Sequence, residues 1–291
     1  MRYQGTVIRP PNEAASLIVQ ATLGCSDNAC NFCPAYKRKR FHVRPLDDIL
    51  KELEEFSRHF PDTRRIFLAD GDAICMPLAD LLRILETAKT LFPRLTRVGI
   101  YGSAKSLRDK SVSDLERLRE AGLGILYFGV ETGDPDIYAW TGKYGSPEEN
   151  LRECLKVKQA RIRLNTTVIL GLGGRSRSGS HAEKTAALLN RIRPDHVAAL
   201  TLMLVTGTRL HADHAGRLFE LPEKMELVRE LERLVSRLDD FRCLFFANHA
   251  SNYFPVQARF PYEKSRVEHS LRLVIERNDP DSLTPDFLRG L

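Results

Sequence analysis

An α/β fold built on parallel strands is what this sequence predicts, and three observations predict it. Six short runs rich in Val, Ile, Leu, Phe and Thr recur through residues 16–203, as strands buried on both faces require. Amphipathic segments of helical period alternate with them. Hydrophobic content of 43% and charged content of 28% in 291 residues are those of a globular chain with a sizeable core.

In chain order, strands are expected at Ser16–Leu23, Arg65–Ala69, Arg97–Tyr101, Ile125–Val130, Ile162–Leu170 and His196–Met203. The intervening helices are expected at Asp47–Phe60, Leu78–Phe92, Ser113–Ala121, Pro147–Gln159 and His181–Ile192; in the first, Ile49, Leu50, Leu53 and Phe56 share one face. Ser113 with Glu116 three residues on reads as a capping box. Gly122 reads as the stop of that helix, and Ser146-Pro147 as the start of the next. Strand–helix units join by right-handed crossovers, giving either a doubly wound open sheet or a partial barrel. In both, chemistry gathers at the carboxyl ends of the strands.

Beyond Met203 the alternation lapses. Residues 204–220 read as a loop, 222–238 as a helix, 242–247 as a further strand and 263–277 as a closing helix. The chain therefore divides into an N-terminal segment (1–15), a core (16–203) and a C-terminal extension (204–291).

A net charge of +6 raises the question of nucleic acid, but basic residues such as Arg117 and Arg119 are scattered. Only Lys37-Arg38-Lys39-Arg40 forms a run, so a small-molecule substrate is expected ahead of nucleic acid. Neither a signal-peptide stretch nor a run near the roughly 20 apolar residues of a membrane span is present, which makes a cytoplasmic protein with no membrane association the expectation.

Six cysteines are distributed unevenly: Cys25, Cys30 and Cys33 fall within nine residues, while Cys75, Cys154 and Cys243 are isolated. Such a cluster in a cytosolic chain reads as metal binding rather than a disulfide framework. It follows the first strand directly, and Gly24, Asp27, Asn28 and Pro34 supply the irregular backbone that lets close cysteines wrap around an iron–sulfur cubane. Three thiolates leave one iron of a 4Fe–4S cluster without a protein ligand. The rival is zinc, with His42 as fourth ligand.

The segment resembles the signature of the radical SAM superfamily, and the resemblance covers most of residues 16–203. That signature places three residues between the first two cysteines, whereas this chain has four; the spacing of two before the last cysteine, with aromatic Phe32 ahead of it, is kept. The resemblance implies a partial (β/α)6 barrel of the radical SAM type with a C-terminal α/β extension. It also implies a 4Fe–4S cluster on Cys25, Cys30 and Cys33, and S-adenosylmethionine chelated at the open iron. One electron, from reduced flavodoxin or ferredoxin, would then split the cofactor into methionine and a 5′-deoxyadenosyl radical that takes hydrogen from a substrate.

Several other residues sit where the family holds the cofactor. Phe32 matches the aromatic near adenine. Gly71 and Asp72 end the second strand where a Gly-Gly-Glu-like turn receives the methionine ammonium; a plain Asp-Gly turn is the structural alternative. Glu131, in Gly129-Val130-Glu131-Thr132-Gly133, matches an acidic position for ribose or ammonium. Leu170 and Gly171 open a Gly-rich turn that flanks adenine, and Leu200 and Thr201 are further adenine contacts or core. Asn165 is a polar residue within an apolar run, facing a pocket or a buried partner. Tyr101, Ser103 and Lys105 reach the same rim. In Asn248–Tyr253, the residues His249, Asn252 and Tyr253 are candidates for substrate recognition or proton transfer, against a loop bonded to its own backbone.

Three other readings compete. An RNA- or protein-modifying methylthiotransferase would need a second cluster, which the isolated cysteines do not supply. A porphyrin-pathway oxidase or its haem-chaperone relative is set against the altered cysteine gap and the short stretch after the core. From another class, a zinc- or iron–sulfur-binding module would carry no catalysis.

Overall fold

The structure is a computed structural model and describes residues 3–290; the first two residues of the expected N-terminal segment and the last of the extension lie outside them. In chain order the elements are β1 (Leu17–Gln20), β2 (Thr22–Leu23), β3 (His42–Val43), α1 (Leu46–His59), β4 (Arg65–Ala69), α2 (Leu78–Leu91), β5 (Arg97–Gly102), α3 (Ala104–Leu107) and α4 (Val112–Ala121). There follow β6 (Leu123–Glu131), α5 (Pro135–Thr141), α6 (Pro147–Gln159), β7 (Arg163–Leu170), α7 (Gly174–Ile192), β8 (His196–Thr201) and α8 (Arg209–Ala215). The chain ends with α9 (Lys224–Ser236), β9 (Cys243–Phe246), β10 (Gln257–Phe260) and α10 (Lys264–Arg277). The fold class is α/β with mostly parallel strands, as expected.

Two compact units divide the chain. The first comprises residues up to Asn28, Ala35–Phe128 and Arg152–Leu164. Here β1, β4, β5 and the start of β6 lie side by side in parallel, with Ile18 opposite Phe67, Ile66 opposite Val98 and Ile100 opposite Leu126. Their apolar residues are buried on both faces, which is why the runs read as continuous rather than alternating. One face receives the apolar stripes of α1 (Ile49, Leu53, Phe56), α2 (Leu81, Ile84, Leu85, Ala88) and α4 (Leu115, Leu118). On the other, Phe67, Tyr101 and Tyr127 meet edge to face, with Phe67 4.9 Å from Tyr101 and 5.6 Å from Tyr127. Glu13 is buried and held by Arg97 at 2.6 Å and the Tyr127 hydroxyl at 2.5 Å. Burial, then the neighbouring Glu13 carboxylate, pushes the Tyr127 phenol above its usual range.

The second unit comprises Ala29–Pro34, Gly129–Leu151 and the chain from Asn165 on. Within it β7, β8 and β9 are parallel, and β10 closes antiparallel on β9, where Phe245 and Phe260 stack 4.9 Å apart. Helix α9 packs on both α7 and α10, and its Leu227, Val228, Leu231, Leu234 and Val235 are buried.

Several boundaries differ from expectation. The first expected strand breaks at Ala21, after which β2 pairs antiparallel with β3 instead. Ser113 lies inside α4: the cap is Ser111, whose hydroxyl accepts the Asp114 N–H while Asp114 accepts the Ser111 N–H. Gly122 ends that helix at φ 121° as expected. Helix α7 begins at Gly174, not His181, because Arg175, Arg177 and Ser178 have tertiary partners that outweigh a poor helical composition. The expected loop over 204–220 contains α8, capped by Thr208. Strand β10 was not anticipated.

Candidate active site

The cysteine loop leaves β2 and runs against the carboxyl end of β4. Gly24 donates its N–H to Asp70 Oδ2 at 3.1 Å, and Gly71 donates to Gly24 O at 3.1 Å. Gly71 is required by crowding: a Cβ there would lie 2.5 Å from the Tyr36 ring and 3.0 Å from Cys25 Cβ. It thus lets Cys25 approach the strand end. Buried Asp70 also accepts from Gln20 Nε2 at 3.1 Å and forms an ion pair with Lys39 at 2.9 Å. Asp72, equally buried, accepts from Ser103 Oγ at 3.1 Å, Ser106 Oγ at 2.6 Å and Ser26 Oγ. Lys105 donates to Ser26 O at 2.8 Å. Asp72 therefore organises the turn and the cysteine loop through three hydroxyls. Tyr101, expected at this rim, packs in the aromatic group with Phe67 and Tyr127.

Cys30 and Cys33 lie in the second unit, partly buried against an apolar cluster of Phe32, Ile137, Leu172, Leu202, Leu210 and Phe219. Ile169 and Trp140 pack on the same cluster. Between the cysteines, Asn31 fastens the loop to the end of α5: its N–H donates to Thr141 O at 2.7 Å and its side-chain amide to Trp140 O at 2.9 Å. Its own carbonyl accepts the Leu210 N–H of α8 at 3.1 Å. Two orphan carbonyls of a helix C-terminus are thereby satisfied by the loop itself.

Glu131 ends β6 in the left-handed region, at φ 63°. Its Oε1 lies 2.5 Å from Lys143 Nζ, which also donates to Gly129 O at 2.6 Å. Gly129 is explained by this pair, since a Cβ would sit 2.1 Å from the carboxylate oxygen and 2.6 Å from the ammonium. Burial alone would lower the Lys143 pKa; the charges of Glu131 and Cys30 outweigh it and carry it above the usual lysine range. Lys143 escaped the sequence reading because a helix separates it from its partner.

Strand alternation sorts the remaining candidates. In register, Asn165 lies opposite His196 and Ile169 opposite Leu200, so Asn165, Ile169 and Leu200 share one face of β7–β8. The Asn165 side-chain oxygen is buried with no hydrogen-bond partner. Leu170 and Thr201 face the other way, lining a small cavity with Leu227, Val228, Leu231, Asn252, Tyr253 and Phe254. Ile169, not singled out from sequence, is the β7 side chain that packs on the cluster with Cys30 and Cys33. Leu202 does so just past β8.

The polar C-terminal segment completes the edge of β8 beyond the pairing with β9. Asn252 donates to Ala199 O at 3.0 Å and accepts from Thr201 Oγ1 at 2.7 Å, while the Thr201 N–H donates to Ser251 Oγ at 3.1 Å. His249 Nδ1 accepts the Ser251 N–H at 3.1 Å, and burial lowers its pKa. Tyr253 donates to Asp286 at 2.7 Å beneath the Arg289 guanidinium, 3.8 Å from its ring. Burial and then the Asp286 carboxylate push its phenol up to about 12. These three candidates are thus tied into backbone and tail contacts.

The donor chemistry suits iron–sulfur ligation: Cys25, Cys30 and Cys33 are each half-buried thiols in no disulfide on an irregular loop, and Cys30 and Cys33 pack beside an apolar wall. Among the described residues no three His, Cys, Asp or Glu side chains converge on one metal ion, and His42 is exposed on β3. A cubane places its thiolates on different irons, so it does not need that convergence. None of the described helices is long and apolar enough to cross a membrane.

The heme chaperone HemW of Bacillus subtilis (strain 168) is 20% identical over 209 residues, covering 69% of this chain and 54% of that protein. The chain thus spans about half the length of this curated relative. Coproporphyrinogen III oxidase (HemN) from Escherichia coli superposes with a TM-score of 0.57 at 16% identity, over 76% of this chain and 51% of that one. The radical S-adenosylmethionine methyltransferase TsrM from Kitasatospora setae gives 0.56 at 16% identity, over 91% and 52%. Such likenesses show a shared fold, with which the expected partial barrel agrees. Residues 19–189, more than half of the chain, match the radical SAM superfamily, to which this protein therefore belongs.

Proposed function

We propose that this chain is an enzyme that holds a 4Fe–4S cluster on Cys25, Cys30 and Cys33 and cleaves S-adenosylmethionine reductively. Held by these cysteines, a reduced cluster would supply the single electron for that cleavage, and hydrogen-atom abstraction from a substrate is the chemistry the bound cofactors would bring. The chain's own residues orient and exclude. Phe32, Leu172, Leu202 and Ile169 form the apolar wall beside Cys30 and Cys33, a dry surface suited to a purine. Glu131, fixed by Lys143, offers its remaining acceptor capacity to ribose or ammonium. Asn165, with an unpartnered oxygen on the same strand face as Ile169 and Leu200, is a second polar contact. The backbone of Gly71 and Gly171 serves at the two strand ends, and Asp72 acts by holding the turn.

The observation that carries this reading is the packing of Cys30, Phe32 and Cys33 on one apolar cluster with Leu172 and Leu202, at the carboxyl ends of β7 and β8. A small-molecule substrate is favoured over nucleic acid because the basic run is partly spent on structure. Lys39 is paired with buried Asp70, and Lys37 donates to Asn28 O at 2.7 Å. Reduced flavodoxin or ferredoxin in the cytoplasm is the electron source this chemistry calls for. Anaerobic reconstitution tests the proposal: about four irons per chain support it, and a colourless protein holding one zinc contradicts it.

A further inference from the structure

The loop that closes β7 rests on a buried carboxylate. Glu230, on α9, accepts the Gly171 N–H at 2.8 Å and His181 Nδ1 at 2.8 Å on one oxygen, and the Ser178 hydroxyl on the other. Glu230 and His181 are 2% and 1% exposed, and His181 Nε2 meets no hydrogen-bond partner. The tautomer with its hydrogen on Nδ1 satisfies this arrangement, since a bare Nε2 costs less than an unpaired N–H.

Burying a carboxylate is costly even when it is fully hydrogen-bonded, and an apolar side chain would serve packing as well or better. What the carboxylate achieves is directional. It grips the first N–H after the strand, on a residue whose φ of 89° admits no side chain comfortably. The turn is then closed by the Gly174 N–H on Gly171 O at 3.0 Å. Between these anchors stands Leu172, pressed onto Phe32 and Leu202. Gly173 is hemmed in from the same side, where a Cβ would lie 2.9 Å from His181 Cβ.

We infer that Glu230, steadied by His181 and Ser178, is a positioning residue that fixes the Gly171–Gly174 turn in the shape that receives the nucleoside end of S-adenosylmethionine. The inference rests on the proposed cofactor reading and adds to it the residues that hold the turn from behind. None of the three touches cofactor; they act through Gly171 and Leu172.

The test is calorimetric titration of S-adenosylhomocysteine into anaerobically reconstituted protein, with iron content and Tm measured on each sample. Glu230→Gln keeps the shape but puts an amide nitrogen, a donor, where one of two accepting carboxylate oxygens stood. It should weaken binding about tenfold with iron per chain unchanged. Ser178→Ala should weaken it less. Leu271→Ala, a buried α10 position that makes none of the turn's hydrogen bonds, should lower Tm and leave affinity as in wild type. Wild-type affinity in Glu230→Gln overturns the inference, as does equal weakening in Leu271→Ala. Wild-type protein that takes up its irons yet binds no analogue overturns the cofactor reading itself.

Discussion

Lys143 Nζ and Glu131 Oε1 stand 2.5 Å apart with side chains 9% and 11% exposed, joining the end of β6 to the second residue after α5. The pair explains a Gly-x-Glu pattern that the sequence presents without its reason, because Gly129 clears the space the two charged groups occupy. Removing the cation leaves a buried carboxylate uncompensated. Lys143→Met should cost about 3 kcal/mol in urea unfolding, and adding Glu131→Gln should recover about half of that. Equal stability of Lys143→Met and wild type would show that the pair is not formed.

The faces of β7 and β8 yield a second expectation. Thr201→Val deletes the hydroxyl that bonds Asn252 and should cost about 1 kcal/mol without changing S-adenosylhomocysteine affinity. Ile169→Ala and Leu200→Ala, on the opposite face, should weaken that affinity several-fold. The reverse pattern in titration would mean that the cofactor meets the face bearing Leu170 and Thr201.

His249 gives a prediction in pH. Burial lowers its folded pKa from 6.5, so below that value the unfolded chain binds the extra proton first. Stability is then lost as pH falls from about 6.5 toward the folded pKa. His249→Asn should flatten that part of the curve, seen as the difference between the two proteins' urea midpoints at pH 7.5 and 5.5. Parallel curves would contradict the burial of the ring.

For the isolated cysteines, Cys75→Ser, Cys154→Ser and Cys243→Ser should each keep a full complement of iron. Cys154 and Cys243 are buried, so serine there should cost about 1–3 kcal/mol in stability alone. Loss of iron from any of the three would reassign the ligands.

Much of the scaffold was legible because its strands are buried on both faces and so keep a continuous apolar signal; Arg65–Ala69 was read to the residue. Local rules failed where two readings compete within one turn. Ser111 with Asp114 and Ser113 with Glu116 both spell a capping box, and only packing of Leu115 and Leu118 sets the start of α4. The first turns of α7 read as loop because Gly and Ser dominate them, while their helicity depends on distant partners such as Asp134 for Arg177 and Glu230 for Ser178. In the candidate site, the cysteines and Phe32 stand out by spacing. Lys143, Ile169, Leu202 and Glu230 did not, since a lysine, two aliphatics and a helical glutamate acquire their roles only from what the fold sets beside them. The polar density of Asn248–Tyr253 was visible, but not that much of it completes the edge of β8.

The most direct test is to incubate reconstituted protein with dithionite and S-adenosylmethionine without air and measure 5′-deoxyadenosine. Formation in wild type, abolished by Cys25→Ala, Cys30→Ala or Cys33→Ala, is the predicted result. A protein that shows a 4Fe–4S signal by electron paramagnetic resonance yet yields no 5′-deoxyadenosine, or yields it undiminished in the cysteine variants, contradicts the account.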